Sequence, residues 1–229
     1  MIYAAQQYEA SAAPAMPAGP VANLPGAVMV ELRACQAAGP GCPNSLIDAA
    51  AWQAEVQRWL EAAEVSERLR GRLDGERIMA HDRLRIAIAG CPNACSQPQI
   101  ADLAVVGRVR PSFDETACSG CGLCEAACPD RAIVVDETPI WYSGRCQGCY
   151  SCGAACDYDA VIVSRPWGQV LMGGKLGRRP QLAREAAEAH DPRELTAMFS
   201  RAVERFIDEA PRNMRFAAWW SAQREGGLL

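Results

Sequence analysis

Lysine is almost absent from this chain: the 23 basic residues include one lysine, Lys175, and histidine occurs only twice. The arginine skew reads as a signature of genomic base composition, which leaves Lys175 conspicuous. No apolar run is long enough to span a bilayer, and residues 1–20, MIYAAQQYEASAAPAMPAGP, lack a basic n-region and a true apolar h-region. The pair Arg178-Arg179 lies too deep in the chain for twin-arginine export. Together these absences predict a cytoplasmic protein with no membrane association. An excess of positive charge is missing too, since the net charge is -4 and the pI about 5.3, so nucleic acid is not an expected partner. His81 and His190 stand alone in polar surroundings, where a surface role is expected.

Cysteine, in contrast, is abundant. Twelve cysteines in a reducing compartment point to metal ligation and not to disulfides. Half of the 229 residues are apolar, enough for one sizeable core, and the composition suggests one main domain carrying an insert. Residues 1–27 are rich in Ala and Pro without a sustained period, so a flexible arm is expected there. The run AVMVELRA, from Ala27, reads as a buried strand leading into Cys35.

Pro43-Asn44-Ser45 followed by Asp48 resembles a helix start with a first-turn acid. Leu46, Ile47, Ala50, Val56 and Leu60 then carry helical spacing, in a long helix expected to break near Gly71. Leu84, Ile86 and Ile88 alternate in LRIAIAG, predicting a strand that delivers Cys91 to a strand-to-helix turn. DLAVVGRV and GQVLMGG read as further strands. Asp191-Pro192-Arg193-Glu194 combines an N-cap, proline at N1 and a capping-box acid, so a helix is predicted through Ala210. A last helix spans NMRFAAWWSAQRE, where Trp219 and Trp220 are expected in a core or an interface.

Between these halves lies an internal repeat. Two runs, Cys118-Cys121-Cys124-Cys128 and Cys146-Cys149-Cys152-Cys156, each have C-x2-C-x2-C-x3-C spacing followed by an apolar β-like stretch, AIVV or AVIV. The segment Thr116–Val163 resembles bacterial two-cluster ferredoxins, including the proline after the first run, Pro129; Asp157 replaces that proline in the second run. In that pattern the last cysteine of each run ligates the other cluster. The resemblance therefore implies one [4Fe-4S] cube on Cys118, Cys121, Cys124 and Cys156, and another on Cys146, Cys149, Cys152 and Cys128. Zinc is the competing reading, and two complete four-cysteine runs at this spacing argue against it.

The remaining cysteines are Cys35 and Cys42, spaced C-x6-C, and Cys91 and Cys95 within GCPNAC. Alone, C-x6-C is a weak signal. Joined to GCPNAC after a strand, to IADLAVVG behind it and to VLMGGKLGRRPQLA after the repeat, it resembles the siroheme-dependent sulfite and nitrite reductase family, in its anaerobic and dissimilatory branch. The resemblance implies a third [4Fe-4S] cluster on Cys35, Cys42, Cys91 and Cys95, with Cys95 bridging to siroheme and Asn93 at the cube's edge. It also makes Lys175, Arg178 and Arg179 candidates to meet siroheme carboxylates; an exposed basic turn is the alternative. The family usually has one residue fewer between the first two cysteines, so a bulge allowed by Gly39 and Gly41 is expected.

The expected fold is α+β: a sulfite/nitrite reductase-like α/β domain, 28–110 and 165–229, interrupted by a bacterial-type 2[4Fe-4S] ferredoxin insert, 111–164, after the arm 1–27. Only some 28 residues precede the first strand, so the family's N-terminal half is expected to be missing from this chain. The resemblance implies an iron-sulfur oxidoreductase subunit in a larger reductase complex with redox protein partners. It would pass electrons through ferredoxin-type clusters to a siroheme-coupled [4Fe-4S] centre for sulfite/nitrite-type reduction. A siroheme-free multi-cluster electron-transfer subunit of another reductase complex is the alternative.

Overall fold

The computed structural model describes residues 19–225. The expectation of a flexible arm falls mostly on residues 1–18, outside that range. Of its remainder, β1 (Val21–Ala22) pairs antiparallel with a short strand, β3 (Arg77–Ile78), and the Asn23 side chain donates to the Gly75 carbonyl at 2.8 Å.

The centre of the molecule is a five-stranded sheet. In chain order its strands are β2 (Val30–Ala34), β4 (Leu84–Ala89), β5 (Leu103–Arg108), β10 (Trp167–Met172) and β11 (Arg184–Ala189), and in space they run β11-β10-β5-β4-β2. β2, β4 and β5 are parallel, with Ile86 opposite Leu103, while β10 and β11 are antiparallel to their neighbours. β2 is an edge strand and only half-buried, so the AVMVELRA stretch is shorter and less enclosed than its apolar content predicts. β11, REAAEA, has no apolar alternation to reveal it and takes its strand conformation from pairing with β10.

Period-two alternation gives the sheet two different faces. Ile86, Ile88, Leu103, Val105, Val170 and Met172 point to one side, into the main core. There α1 (Ala49–Ala62), α5 (Pro192–Glu209) and α6 (Phe216–Glu225) cover them with Trp52, Val56, Leu195, Phe199, Trp219 and Trp220. Each large side chain so enclosed contributes about 1.5–3 kcal/mol relative to exposure. The opposite face is built of small residues, Ala87, Ala89, Ala104 and Val106 with Leu171, and Ala101 and Ala183 pack on it.

The helices follow their caps. Asp191 accepts from the amides of Arg193 and Glu194 at 2.8 and 2.9 Å, as the Asp-Pro-Arg-Glu signature predicts. Asp48, expected inside the first turn, is instead the N-cap of α1 and accepts from Ala51 at 3.0 Å. The break expected near Gly71 occurs earlier, at Glu64, whose φ of 47° is left-handed; α2 (Val65–Arg70) then runs up to Gly71. Behind α2, buried Arg72 donates to the carbonyls of Ile207, Ala210 and Pro211 at the end of α5, and its guanidinium lies 4.6 Å from the Phe206 ring centroid.

Asp102, at the entrance to β5, is 2 % exposed. Its carboxylate accepts from the Arg85 amide at 2.9 Å and the Ala217 amide at 3.2 Å, tying the start of β4 to the start of α6. Burial pushes this carboxyl up to about 6, against the opposing pull of those amides and of Arg215. A carboxyl that holds its proton more tightly when folded stabilises the fold most below its unfolded range, near 4, and that contribution is lost as pH rises through 6. Denaturant titrations are therefore expected to show wild type losing about 1 kcal/mol relative to Asp102→Asn between pH 5 and pH 7. Parallel pH profiles for the two proteins would contradict this assignment.

β5 and β10 are neighbours in the sheet, yet residues 109–166 lie between them in the chain. Those residues form β6 (Pro111–Phe113) paired with β9 (Val161–Val163), β7 (Ile133–Asp136) paired with β8 (Thr138–Trp141), and two single-turn helices, α3 (Leu123–Ala126) and α4 (Ser151–Ala154). Cys124, Ile133 and Cys152 make a separate small core there, with Phe113 and Trp141 packed against it. Among the described residues no helix is long and apolar enough to cross a membrane.

Candidate functional site

Cys35 and Cys91 follow the C-terminal ends of adjacent parallel strands, β2 and β4, where open parallel sheets commonly place their functional loops. The Cys35 amide donates to the Ile88 carbonyl at 2.9 Å, and the Gly90 amide donates to the Cys35 sulfur at 3.2 Å, so the first thiol is held against the turn carrying the second pair. Between Cys35 and Cys42 the chain makes a 3₁₀ turn, Gln36–Ala38. Gly41 supplies the left-handed step with φ of 93°, while Gly39 keeps a negative φ. Gly90 has no room for a side chain, because a Cβ there would lie 2.1 Å from the Ser45 hydroxyl.

The turn Cys91–Cys95 closes with an Ala94 amide to Cys91 carbonyl bond of 3.1 Å, and Ala94 adopts φ of 56°. The Ser96 hydroxyl donates back to the Ile88 carbonyl at 2.8 Å, anchoring the turn to β4. Asn93 donates from Nδ2 to the Cys95 sulfur at 3.0 Å, and both residues are exposed. Burial raises the pKa of Cys91, and the thiols of Cys42, Cys35 and Cys95 reinforce the rise by their proximity. Four thiols within electrostatic reach of one another cannot all ionise without a compensating positive charge.

The cysteine-rich segment repeats itself in conformation as well as sequence. Gly120 and Gly148 occupy equivalent places with φ of 69° and 66°, and Gly122 and Tyr150 follow with 76° and 73°. These left-handed steps turn the Gly120 amide toward the Cys118 sulfur, at 3.5 Å, and the Gly148 amide toward the Cys146 sulfur, at 3.4 Å. Two cavities result. One is walled by Cys118, Cys121, Cys124 and Cys156, the other by Cys146, Cys149, Cys152 and Cys128, so each takes three thiols from one run and the fourth from the other.

Among the described residues no three His, Cys, Asp or Glu side chains converge tightly enough for a single ion. Each of the two cavities is bordered by four thiols. Burial pushes the Cys152 thiol up to about 11 and also raises Cys124, whereas the Tyr158 amide lowers exposed-side Cys156. Desolvated thiols of this kind become stable thiolates beside a compensating positive charge, such as a metal.

Lys175, Arg178 and Arg179 lie on the turn after β10. Lys175 and Gln181 exchange backbone hydrogen bonds of 2.9 Å, and Gln181 Nε2 donates to the Gly173 carbonyl and the Ser221 hydroxyl, both at 2.6 Å. The Gly174 amide donates to the Ala101 carbonyl at 2.9 Å and the Ala183 amide to the Gln99 carbonyl at 2.7 Å. A Cβ on Gly174 would meet both the Gln99 and Ala101 carbonyls at 2.6 Å. The turn is thus fastened to the segment that follows Cys95, on the small-residue face of the sheet. Lys175 is half-buried, while Arg178 and Arg179 are exposed.

Residues to which the motifs gave no role also act here: Gly90 and Ser96 hold the Cys35 and Cys91 turns, and Arg108 donates to the Gln147 carbonyl within the second cysteine run. The glycine that opens GCPNAC was visible in the sequence, but only the packing shows why it excludes a side chain.

Residues 26–221 match the model of the nitrite and sulphite reductase 4Fe-4S domain. A coenzyme F420-dependent sulfite reductase of Methanocaldococcus jannaschii is 43% identical over 51 residues, which are 22% of this chain and 8% of that protein. One of the subunits of an anaerobic sulfite reductase from Salmonella typhimurium is 40% identical over 50 residues, 22% of this chain and 15% of that protein. The matched stretches are therefore small parts of both relatives. A solved structure of dissimilatory sulfite reductase I shares the fold with a TM-score of 0.57 at 15% identity, over 86% of this chain and 50% of that one. With the domain model running from before β2 into α6, and so spanning the strand ends where Cys35, Cys42, Cys91 and Cys95 gather, this chain belongs to the nitrite and sulphite reductase 4Fe-4S domain family, an iron-sulfur family.

Proposed function

We infer that this chain is an iron-sulfur electron-transfer subunit of a siroheme-dependent sulfite- or nitrite-type reductase, with three [4Fe-4S] sites. The observation that carries the reading is the pair of cavities, each walled by four thiols with the fourth crossed over from the other run. That crossing supports a bacterial-type 2[4Fe-4S] ferredoxin insert at 111–164, with Cys118, Cys121, Cys124 and Cys156 holding one cube and Cys128, Cys146, Cys149 and Cys152 the other. Cys35, Cys42, Cys91 and Cys95 hold the third. The relatives named as sulfite reductases support a place in a larger complex with redox protein partners.

When bound, the cubes supply one-electron transfer, and siroheme supplies the iron at which sulfite or nitrite is reduced. The chain's own residues bind and orient. Amides of Gly90, Gly120 and Gly148 and the Asn93 side chain direct hydrogen-bond donors at the sulfurs of Cys35, Cys118, Cys146 and Cys95. Cys95, the exposed thiol of its set, faces outward where a siroheme iron would share it, and Lys175, Arg178 and Arg179 supply cationic groups for its carboxylates. The exposure of Arg178 and Arg179 favours a second reading, in which the chain carries clusters without siroheme and serves another reductase.

Anaerobically purified protein is expected to hold about twelve iron and twelve sulfide per chain. Saturation near eight would remove the Cys35 site from the proposal. With its partner present, Cys95→Ser is expected to change both the cluster signal and the Soret and long-wavelength bands, while Cys35→Ser mainly destabilises the cluster. A chain that never takes up a tetrapyrrole, alone or with its partner, selects the siroheme-free reading.

A further inference from the structure

A fixed guanidinium backs the loop that carries the second cysteine run. Arg108, the last residue of β5, is half-buried and donates from Nη1 to the Gln147 carbonyl at 2.6 Å and to Gln147 Oε1 at 3.2 Å; Nε donates to Gln169 Oε1 at 2.7 Å. Gln147 lies between Cys146 and Gly148, so the guanidinium is fixed to the loop that carries the second cysteine run. The neighbouring Val109 amide donates to the Gly148 carbonyl at 3.0 Å, and a Cβ on Gly148 would lie 2.5 Å from the Val109 carbonyl. This loop is locked to the sheet, and Arg108 is within electrostatic reach of Cys146.

The equivalent loop of the first run has a different backing. A Cβ on Gly120 would meet the Glu137 carbonyl at 2.9 Å, in the acidic turn Asp136–Glu137 between β7 and β8. Asp130 also borders the cavity of the second run, and it lies in reach of Arg108, which offsets it. One repeat unit is thus held by a guanidinium at the sheet, which also has Glu185 in electrostatic reach, and the other packs against the backbone of the turn at Glu137.

We propose that Arg108 is a positioning residue for the cube on Cys128, Cys146, Cys149 and Cys152: its fixed guanidinium raises the reduction potential of that cube. The inference rests on the three-cluster reading. Reduction adds one electron and one negative charge to a cube, and a fixed guanidinium beside it favours the more negative state.

The test is a redox titration with dithionite and mediators, followed by electron paramagnetic resonance. It uses a Cys121→Ala background, so that the Cys118 set contributes no signal. Arg108→Gln is expected to move the remaining ferredoxin-type couple to more negative potential. At the potential where half of the parent is reduced, the reduced fraction is expected to fall to about a tenth. Arg108→Lys keeps the charge and is expected to stay near the parent value. Full iron with an unmoved couple in Arg108→Gln overturns the proposal, as does an equal displacement in both variants. If Arg108→Gln loses the iron of this site, Arg108→Lys decides: iron and couple retained support the proposal, and a displaced couple overturns it. Wild type that holds no ferredoxin-type cubes refutes the three-cluster reading instead, which the iron count reveals before any titration.

Discussion

Chains carrying both Cys121→Ala and Cys156→Ala are expected to retain about eight iron, the same as either single variant, whereas Cys121→Ala with Cys128→Ala is expected to retain only about four. The difference follows from the crossed cavities. Cys121 and Cys156 wall one of them, so the second substitution removes a ligand from a site already lost. Cys128 belongs to the other, with Cys146, Cys149 and Cys152, and its loss empties a second site. If each run instead ligated its own cube, the results would be exchanged: the pair Cys121 and Cys128 would spare about eight iron, and Cys121 and Cys156 would leave about four. Alanine is used because a serine oxygen could still ligate iron. The parent chain, at about twelve, fixes the scale, and loss of all iron in every variant would show that the sites do not load independently.

Arg72→Leu is expected to lower stability by about 3 kcal/mol, which for a chain of this size is a fall in melting temperature of about 10 °C. The guanidinium serves three carbonyls, those of Ile207, Ala210 and Pro211, where α5 ends. Helix C-termini leave acceptors without intrahelical donors, and a buried cation there both satisfies them and meets the negative end of the helix dipole. Leucine fills similar space, so the loss reports the unmet carbonyls and the missing ring contact with Phe206 more than a cavity. Arg72→Lys is expected to recover only part of the loss, because an ammonium cannot fork to three acceptors at once. Arg212, which pairs with Asp74 on the surface of the same corner, is the control: Arg212→Ala is expected to leave the midpoint nearly unchanged. Equal effects from Arg72→Leu and Arg212→Ala would refute the role given to Arg72.

The parts of the fold that local chemistry specifies were legible in the sequence. Asp191-Pro192 announced α5, alternation in LRIAIAG announced β4, and the two cysteine runs announced a repeat whose equivalent glycines share left-handed conformations. Other parts were not, because their causes lie elsewhere in the chain. β11 is polar and alanine-rich and is a strand only because β10 offers it a partner. The helix break at Glu64 has no glycine or proline to mark it. At the candidate site, the cysteines and Asn93 stand out by spacing, but the grip of Arg108 on Gln147 joins residues 39 apart and has no local signature. The basic turn shows the reverse case: its motif is plain, and the structure gives Arg178 and Arg179 an exposed place whose use depends on what approaches it.

Because β5 and β10 are adjacent while residues 109–166 intervene, the sheet is completed only by closing a long excursion of chain. The pairing of β6 with β9 at the base of that excursion brings its two ends together, leaving a few residues on each side before the sheet resumes. Loop-closure entropy grows with the logarithm of the free length, so a folded excursion spares the β5–β10 pairing about 2 kcal/mol relative to an unfolded one. Whatever orders the cysteine-rich segment therefore strengthens a sheet that its thiols do not enter. The order of the cysteine-rich segment and the closure of the central strands become one thermodynamic problem: with the segment unfolded the last two strands pair across an open gap, and with it folded they pair across a clasp.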